Sequence, residues 1–534
     1  MMPARRTVPA AGTVGIAVSG FVTLVMVWPA LGGGYLLYRD FITVPDPVLD
    51  ARTWGFDGAA PRAVPLNAVM ALLDPLVPTW LQQKAILVGS LWVAGAGVAL
   101  LLRRRGVLVA ALGALLATWS PFAAERLLLG QPPTLLAWSM LPWLVLASQV
   151  SRSPRVRVFA LALAALPAAL TPSGGVTAAA AAVLLTWLAG RRAAEVLTVA
   201  GLGVLWCIPW LVPALGGRAE AGVSDGAAAF RIEADGVAGL LDVLTGGGAW
   251  AAAARLESRE TVVTLGALAL LLLLAGLGLA RPVNPRRRLL ALCLLAPPAV
   301  AVFLSSPVGL PAFAAAQSVP GVALFRDAHR LLAVSAFALV LLVPLGTALV
   351  VERARELLSR VSGRGQGGRP MSERAQAAVA VGLTCAVAAT AVLAAPDVPA
   401  RLHAAYRPVA FPPDWRRAVE AVGESGALVL PWQPLRRVAW NDDRPFLDPL
   451  PLALRGEVVS AADLTVRRQE TFRVGASDPP ASATWVEGRL NVTDLRDLGV
   501  DVVVEWLGTP GPRVDSQQLR LTFNGTSLRV WSVT

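Results

Sequence analysis

Apolar stretches recur along most of the chain, at about 13–37, 84–102, 106–123, 132–150, 157–171, 175–190, 195–215, 261–280, 288–305, 331–350 and 376–395. Roughly 20 apolar residues span a bilayer core, so the pattern predicts about eleven transmembrane helices between Ala11 and Ala395. The gaps between them are not equivalent. Basic clusters fill every second one: Arg5 and Arg6; Arg103, Arg104 and Arg105; Arg152, Arg155 and Arg157; Arg191 and Arg192; Arg281, Arg286, Arg287 and Arg288; and the arginines of 353–374. The other gaps carry mixed charge and most of the loop carboxylates. Cytoplasmic loops hold the Lys/Arg excess, so this alternation predicts an N-terminus inside and a C-terminus outside. It also puts the polar residues best placed for chemistry on the extracytoplasmic face.

The first segment is too long for the apolar core of a signal peptide, and aromatics rather than small residues follow it. It reads as an uncleaved helix. Segments 157–171 and 175–190 are short and joined by Thr171-Pro-Ser-Gly-Gly175. If they form a re-entrant hairpin, two crossings are lost together and the later orientation is unchanged.

Residues 1–395 therefore read as a transmembrane domain with long outer loops at 38–83, 216–260 and 306–330. Residues 396–534 form a polar tail long enough for a small extracytoplasmic α/β domain. Within it, 415–422 predicts an amphipathic helix, and Ala427-Leu-Val-Leu-Pro and Asp501-Val-Val-Val-Glu505 predict strands. Leu519-Arg-Leu-Thr-Phe, Asn524-Gly and Ser527-Leu-Arg-Val-Trp alternate around a turn dipeptide, a hairpin signal. The Gly/Arg-rich stretch 362–370 reads as a flexible cytoplasmic linker.

Composition agrees with the membrane reading. The chain is 55% hydrophobic and 15% charged, against about 25% charged in soluble proteins. Lys84 is the sole lysine, an Arg bias that fits a GC-rich bacterial genome. The formal charge of +12 does not point to nucleic acid, because much of it sits in short cytoplasmic loops. Cys207, Cys293 and Cys385 fall in apolar segments and give neither a disulfide framework nor a metal spacing. No phosphate-binding P-loop or dinucleotide fingerprint occurs, and the inside loops are too short for a nucleotide-driven pump or a cytosolic nucleotide-sugar transferase.

Three constellations remain. Asp40, in Tyr35-Leu-Leu-Tyr-Arg-Asp40, follows the first helix at the water interface. Partly covered by neighbouring loops, it suits a general base; the same position suits an interfacial anchor. Ser120-Pro-Phe-Ala-Ala-Glu125-Arg-Leu-Leu-Leu-Gly-Gln131 places Glu125 and Arg126 in a short apolar connection, where charges pair or face a polar cavity. An internally paired helix-hairpin cap fits it as well. Phe325-Arg-Asp-Ala-His-Arg330 offers Arg326, Arg330 and His329 at a helix N-terminus, an anion site in type. It fits equally a charged cap with Asp327 as its acid. With only His329 and His403, no multi-histidine metal site is available; a divalent metal on first-loop carboxylates stays open.

Taken together with Leu141-Pro-Trp143 and Leu498-Gly-Val-Asp-Val-Val-Val504, these elements resemble the polytopic GT-C-type glycosyltransferases of bacterial envelopes. The chain is similar to actinobacterial membrane proteins related to the transmembrane part of arabinofuranosyltransferase D and, more distantly, to the YfhO-like group. The large carbohydrate-binding extensions of that transferase are missing. The resemblance implies a GT-C-like fold in the plasma membrane and transfer of sugar from a polyprenyl-phosphate donor to an envelope glycan or lipid acceptor. It implies Asp40 as base with Asp46 in reserve, and Arg326, Arg330 and His329 at the donor phosphate. Glu125, Arg126, Gln131 and Asp327 then belong to the cavity wall. Two other readings compete: a lipid-linked glycan flippase, which needs polar residues deep in several helices, and a non-catalytic scaffold acting through the tail.

Overall fold

In a computed structural model the described residues are 7–56, 63–150, 153–216, 225–280, 285–317, 319, 322–363, 371–461, 464–468, 470–474, 491–514 and 519–533. Arg5, Arg6, Arg152, Arg281 and most of the 362–370 linker lie outside them.

Each of the eleven apolar segments contains helix. In chain order the helices are α1 (Thr7–Val27), α2 (Leu66–Leu73), α3 (Thr79–Leu102), α4 (Val107–Thr118), α5 (Pro121–Leu128) and α6 (Pro132–Ser148). There follow α7 (Pro154–Ala165), α8 (Pro172–Leu188), α9 (Ala193–Gly216), α10 (Gly226–Ala229), α11 (Gly236–Leu244) and α12 (Val262–Leu279). The series continues with α13 (Pro285–Ser305), α14 (Gly309–Ala316), α15 (Leu332–Gly363), α16 (Glu373–Leu393), α17 (Val398–Ala405) and α18 (Trp415–Val422). Eight helical runs, on α1, α3, α4 with α5, α9, α12, α13, α15 and α16, are long and apolar enough to cross a membrane. The apolar helices α6, α7 and α8 are shorter, at 17, 12 and 17 residues. The chain is a polytopic helical membrane protein.

Small residues let the helices close on one another, as is usual where lipid supplies no hydrophobic drive. A Cβ on Gly346 would meet Leu274 O at 1.9 Å and one on Gly278 would meet Leu342 O at 2.4 Å, so α12 and α15 touch backbone to backbone.

The first helix is shorter than its apolar run predicts. α1 stops at Val27, and a 3-10 turn, Trp28–Leu31, precedes Gly32, Gly33 and Gly34. Pro29 lacks the N–H an α-helix would use there, and glycine disfavours helix. Leu36 and Leu37, apolar enough to extend the helix on paper, are fully buried in protein instead. Asp40 is therefore well beyond the helix end, in a tight turn.

The C-terminal region holds a mixed five-stranded sheet in the order β4-β1-β7-β9-β8. Its strands are β1 (Ala427–Leu430), β4 (Val458–Val459), β7 (Val502–Trp506), β8 (Arg520–Asn524) and β9 (Leu528–Ser532), with pairs β2 (Leu435–Arg436) with β3 (Phe446–Leu447) and β5 (Leu464–Arg467) with β6 (Thr471–Val474). β4, β1 and β7 run parallel, while β7–β9 and the β8–β9 hairpin are antiparallel. The four elements predicted in the tail all form.

This sheet is not separate from the first loop. Leu37 and Val44 pack in one core with Trp415, Val429, Phe446 and Trp506. Tyr35 bridges Val409 and Arg39 bridges Phe446. Gly34, at φ +112°, is required because a Cβ would lie 2.6 Å from Val409 O. The far end of the bundle carries the basic cluster: Gly12 of α1 lies against Arg103 at the end of α3.

Candidate active site

The site grows from a break in one long apolar run. Ser120 is extended and Pro121 starts α5 at its first position, where no N–H is needed. Every α5 residue from Phe122 to Leu128 is buried, so Glu125 is 0% and Arg126 2% exposed. Buried charges must pair, and Arg126 does. Its Nη1 donates to Asp327 Oδ2 at 2.6 Å and to Gln131 Oε1 at 2.8 Å. Its Nε and Nη2 lie 3.1 and 2.9 Å from His329 Nδ1.

His329 is wholly enclosed, stacked on Phe122 with ring centroids 5.3 Å apart. Its Nε2 lies 3.3 Å from Gly246 O and 3.4 Å from Glu125 Oε2. That Glu125 oxygen also accepts from Ala249 N at 2.9 Å, while Oε1 has no partner. Burial alone would raise the Asp327 carboxyl, but the charge and hydrogen bond of Arg126, with the charge of Arg330, hold it at about 2.

α5 ends in a turn that brings in the first loop. Gly130 has φ +76°, and a Cβ there would lie 2.6 Å from Arg39 Cβ and 2.8 Å from Tyr38 O. Only glycine allows that approach. Next to it, Gln131 Nε2 reaches Asp40 Oδ2 at 3.5 Å. Asp40 sits at the tip of the turn closed by Tyr38 and Phe41, with Arg39 at φ +50°. It is exposed rather than covered by loops as the sequence suggested.

Arg330 has 26% of its side chain exposed, lies 3.8 Å from Asp327 and donates to Leu324 O at 2.8 Å. Contacts through Asp327, Arg126 and Gln131 link it to Asp40. Arg326 lies over the Phe230 ring at 5.1 Å.

The structure thus brings together Asp40, Gln131, Arg126, Glu125, Asp327, His329 and Arg330. Asp46 goes elsewhere: it forms an exposed pair with Arg416 of α18 at 3.0 Å. Two other first-loop carboxylates are engaged separately, Asp50 with Arg52 at 2.7 Å and Asp74 with Thr79 N at 2.8 Å. Among the described residues no three of His, Cys, Asp and Glu gather as metal ligands.

Two neighbours of the cluster escaped the sequence reading. Asp242 of α11 pairs with Arg259 beside Thr245; burial raises its carboxyl, Arg259 opposes this and Glu125 adds to it. Tyr406, after α17, donates to Leu127 O at 2.6 Å and packs edge-on against Tyr38 and Phe41. Burial lifts its phenol well above the usual range. A signal existed: the chain has 3 tyrosines, and Tyr35, Tyr38 and Tyr406 all support the segment that carries Asp40.

No protein-family model matches the chain, and no curated protein matches it. Among solved structures it matches arabinofuranosyltransferase AftD from Mycobacteria, with a TM-score of 0.58 at 16% identity over 98% of this chain. It spans about 40% of the length of AftD. It also matches ArnT from Cupriavidus metallidurans in the apo state, with a TM-score of 0.44 at 14% identity over 98% of this chain and 97% of that one. The AftD likeness shows a GT-C-like fold, as the sequence resemblance implied.

Proposed function

We propose that this protein is a membrane glycosyltransferase that moves a sugar from a polyprenyl-phosphate donor to a hydroxyl of an envelope glycan or lipid, on the extracytoplasmic face. The observation that carries the reading is the joining of an exposed carboxylate, Asp40, to the Arg330 neighbourhood through Gln131, Arg126 and Asp327. The fold shared with AftD, an arabinofuranosyltransferase, supports it.

The chemistry follows from the charges. The acceptor oxygen attacks the anomeric carbon as Asp40 takes its proton, while the bond from that carbon to the phosphate oxygen breaks. Polyprenyl phosphate leaves, and the guanidinium groups of Arg326 and Arg330 stabilise the charge that develops on it. No nucleotide is involved, in keeping with a chain that lacks nucleotide motifs. The inside-to-outside alternation of arginines puts this chemistry at the outer end of the bundle, where the C-terminal sheet covers the first loop.

The test is transfer by purified protein in nanodiscs from polyprenyl-phosphate sugars, arabinofuranose first. Asp40→Asn is expected to lower the rate at least about 100-fold, the usual contribution of a general base. Its thermal unfolding should not change, because the side chain is exposed. Wild-type transfer by Asp40→Asn would sink the assignment. Movement of the intact lipid-linked sugar across the bilayer without transfer would replace the enzyme with a flippase.

A further inference from the structure

The polarity of the buried hydrogen bonds fixes more than their lengths do. A guanidinium carries donors only. Gln131 therefore turns its carbonyl oxygen to Arg126 Nη1, at 2.8 Å, and its amide nitrogen must face Asp40. The same rule governs His329. Its Nδ1 lies 2.9 Å from Arg126 Nη2, so that nitrogen is an unprotonated acceptor and the ring is the neutral tautomer with its proton on Nε2. Both groups facing Nε2, Gly246 O and Glu125 Oε2, are acceptors. The charges around the ring are Arg126 and Glu125 from α5, Asp327 and Arg330 from its own turn, and Asp242 from α11.

We propose that Gln131 is the positioning residue for Asp40, and that neutral His329, steadied by Glu125, fixes Gln131 through Arg126. The inference rests on the reading of Asp40 as the base. Donation runs outward from Arg126 in both directions, and a guanidinium does not give up its proton. The array is thus no proton wire. The proton that Asp40 takes leaves to water on its exposed side. What the array does is hold one carboxylate oxygen, Oδ2, and leave Oδ1 for the acceptor hydroxyl. Its contact of 3.5 Å is long, of the kind that shortens when substrate fills a site. His329 is thereby a support of the base rather than a ligand of phosphate, because the protein uses both of its ring nitrogens.

The experiment is a pH profile of kcat for the full-length protein in nanodiscs. A short-chain polyprenyl-phosphate arabinofuranoside serves as donor and an alkyl arabinofuranoside as acceptor. Gln131→Leu should lower kcat about 10- to 100-fold, as misplacement of a catalytic group does, with donor KM within about twofold. The acid limb of its profile should move to higher pH, since a carboxylate that loses a donor binds its proton more tightly. His329→Phe, which offers Arg126 no acceptor, should reproduce both effects. His329→Gln, whose amide can accept from Arg126 and donate to Glu125, should recover about tenfold of that loss.

An unmoved acid limb in Gln131→Leu overturns the inference, as does equal behaviour of His329→Gln and His329→Phe. Asp40→Asn separates the two levels. If it is inactive while the Gln131→Leu limb stays put, only the positioning role fails. If Asp40→Asn transfers at the wild-type rate, the base reading falls and takes this inference with it.

Discussion

Among the described residues, Arg126 and Arg436 are the two arginines among the largest fully buried side chains, and each pairs with an aspartate. Arg436 gives Nε and Nη2 to Asp448 Oδ2 at 3.0 and 2.7 Å and Nη1 to Pro431 O at 2.7 Å. Its hydrogen-bond partners all lie within 12 residues of it, and the array closes on itself around the β2–β3 pair. Arg126 reaches partners 201 and 203 residues away. Through Gln131 its array ends on an exposed carboxylate, and through Asp327 on a half-open arginine. Burial and pairing are the same in both. What separates a structural ion pair from a candidate site is an end that opens to solvent.

Replacing each arginine with Met breaks the comparison most sharply. Arg436→Met leaves Asp448 buried without its counter-charge, which costs about 3–5 kcal/mol, and Arg126→Met leaves Asp327 with only the more distant Arg330 at 3.8 Å. Thermal unfolding in detergent should fall for both Arg126→Met and Arg436→Met. Transfer per folded molecule should be lost only with Arg126→Met, because only that array reaches Asp40. Equal retention of transfer would erase the distinction.

A second effect is smaller and depends on pH. The Asp327 carboxyl is held at about 2 against an ordinary 3.8. Its native pKa lies below the unfolded one, so the stabilisation is present above about pH 4 and is lost as pH falls toward 2. The difference corresponds to about 2 kcal/mol. The gap in unfolding temperature between wild type and Asp327→Asn should narrow as pH drops through that window. A gap that stayed constant would mean that Arg126 does not hold the carboxylate.

These two arrays were not equally legible in the sequence. The helices were, because a run of apolar residues is long or short regardless of tertiary context. The end of α1 was not: Leu36 is apolar for burial in the core of the helical bundle and Leu37 for burial in the C-terminal core, and hydropathy cannot tell protein interior from lipid. Asp40, Arg126, Gln131, Asp327 and His329 each stood out as a charged or polar residue in apolar surroundings. Their convergence depends on pairings across some 200 residues, which no local pattern encodes. The helix-start position of His329 suggested an anion ligand. Packing overrode it, because Phe122, Gly246 and Glu125 enclose the ring. The interlock of the first loop with the tail, Tyr35 to Val409 and Arg39 to Phe446, was hidden for the same reason of distance.

The turn that joins the two halves of the open array gives a third way to test it. Gly130→Ala forces a side chain into a left-handed conformation, a strain of about 1–2 kcal/mol. Its Cβ would also push on Arg39 and on the Tyr38 carbonyl. Transfer should fall about tenfold through displacement of the Asp40 turn, with a modest loss of thermal stability. Full activity in Gly130→Ala would show that the first loop moves independently of α5.

The smallest effect is expected from Tyr406→Phe, at the rim of the same array. The hydroxyl donates to Leu127 O at 2.6 Å, but that carbonyl also accepts from Gly130 N at 2.8 Å, so its loss leaves no orphaned acceptor. The cost should stay near the net value of one hydrogen bond, about 1 kcal/mol. The ring that packs edge-on against Tyr38 and Phe41 remains, so the Asp40 turn keeps its wall. Unfolding temperature should drop slightly while the pH profile of transfer keeps its shape. A shifted acid limb in Tyr406→Phe would place the phenol in the array that orients Asp40, and Gln131 would no longer stand alone in that role.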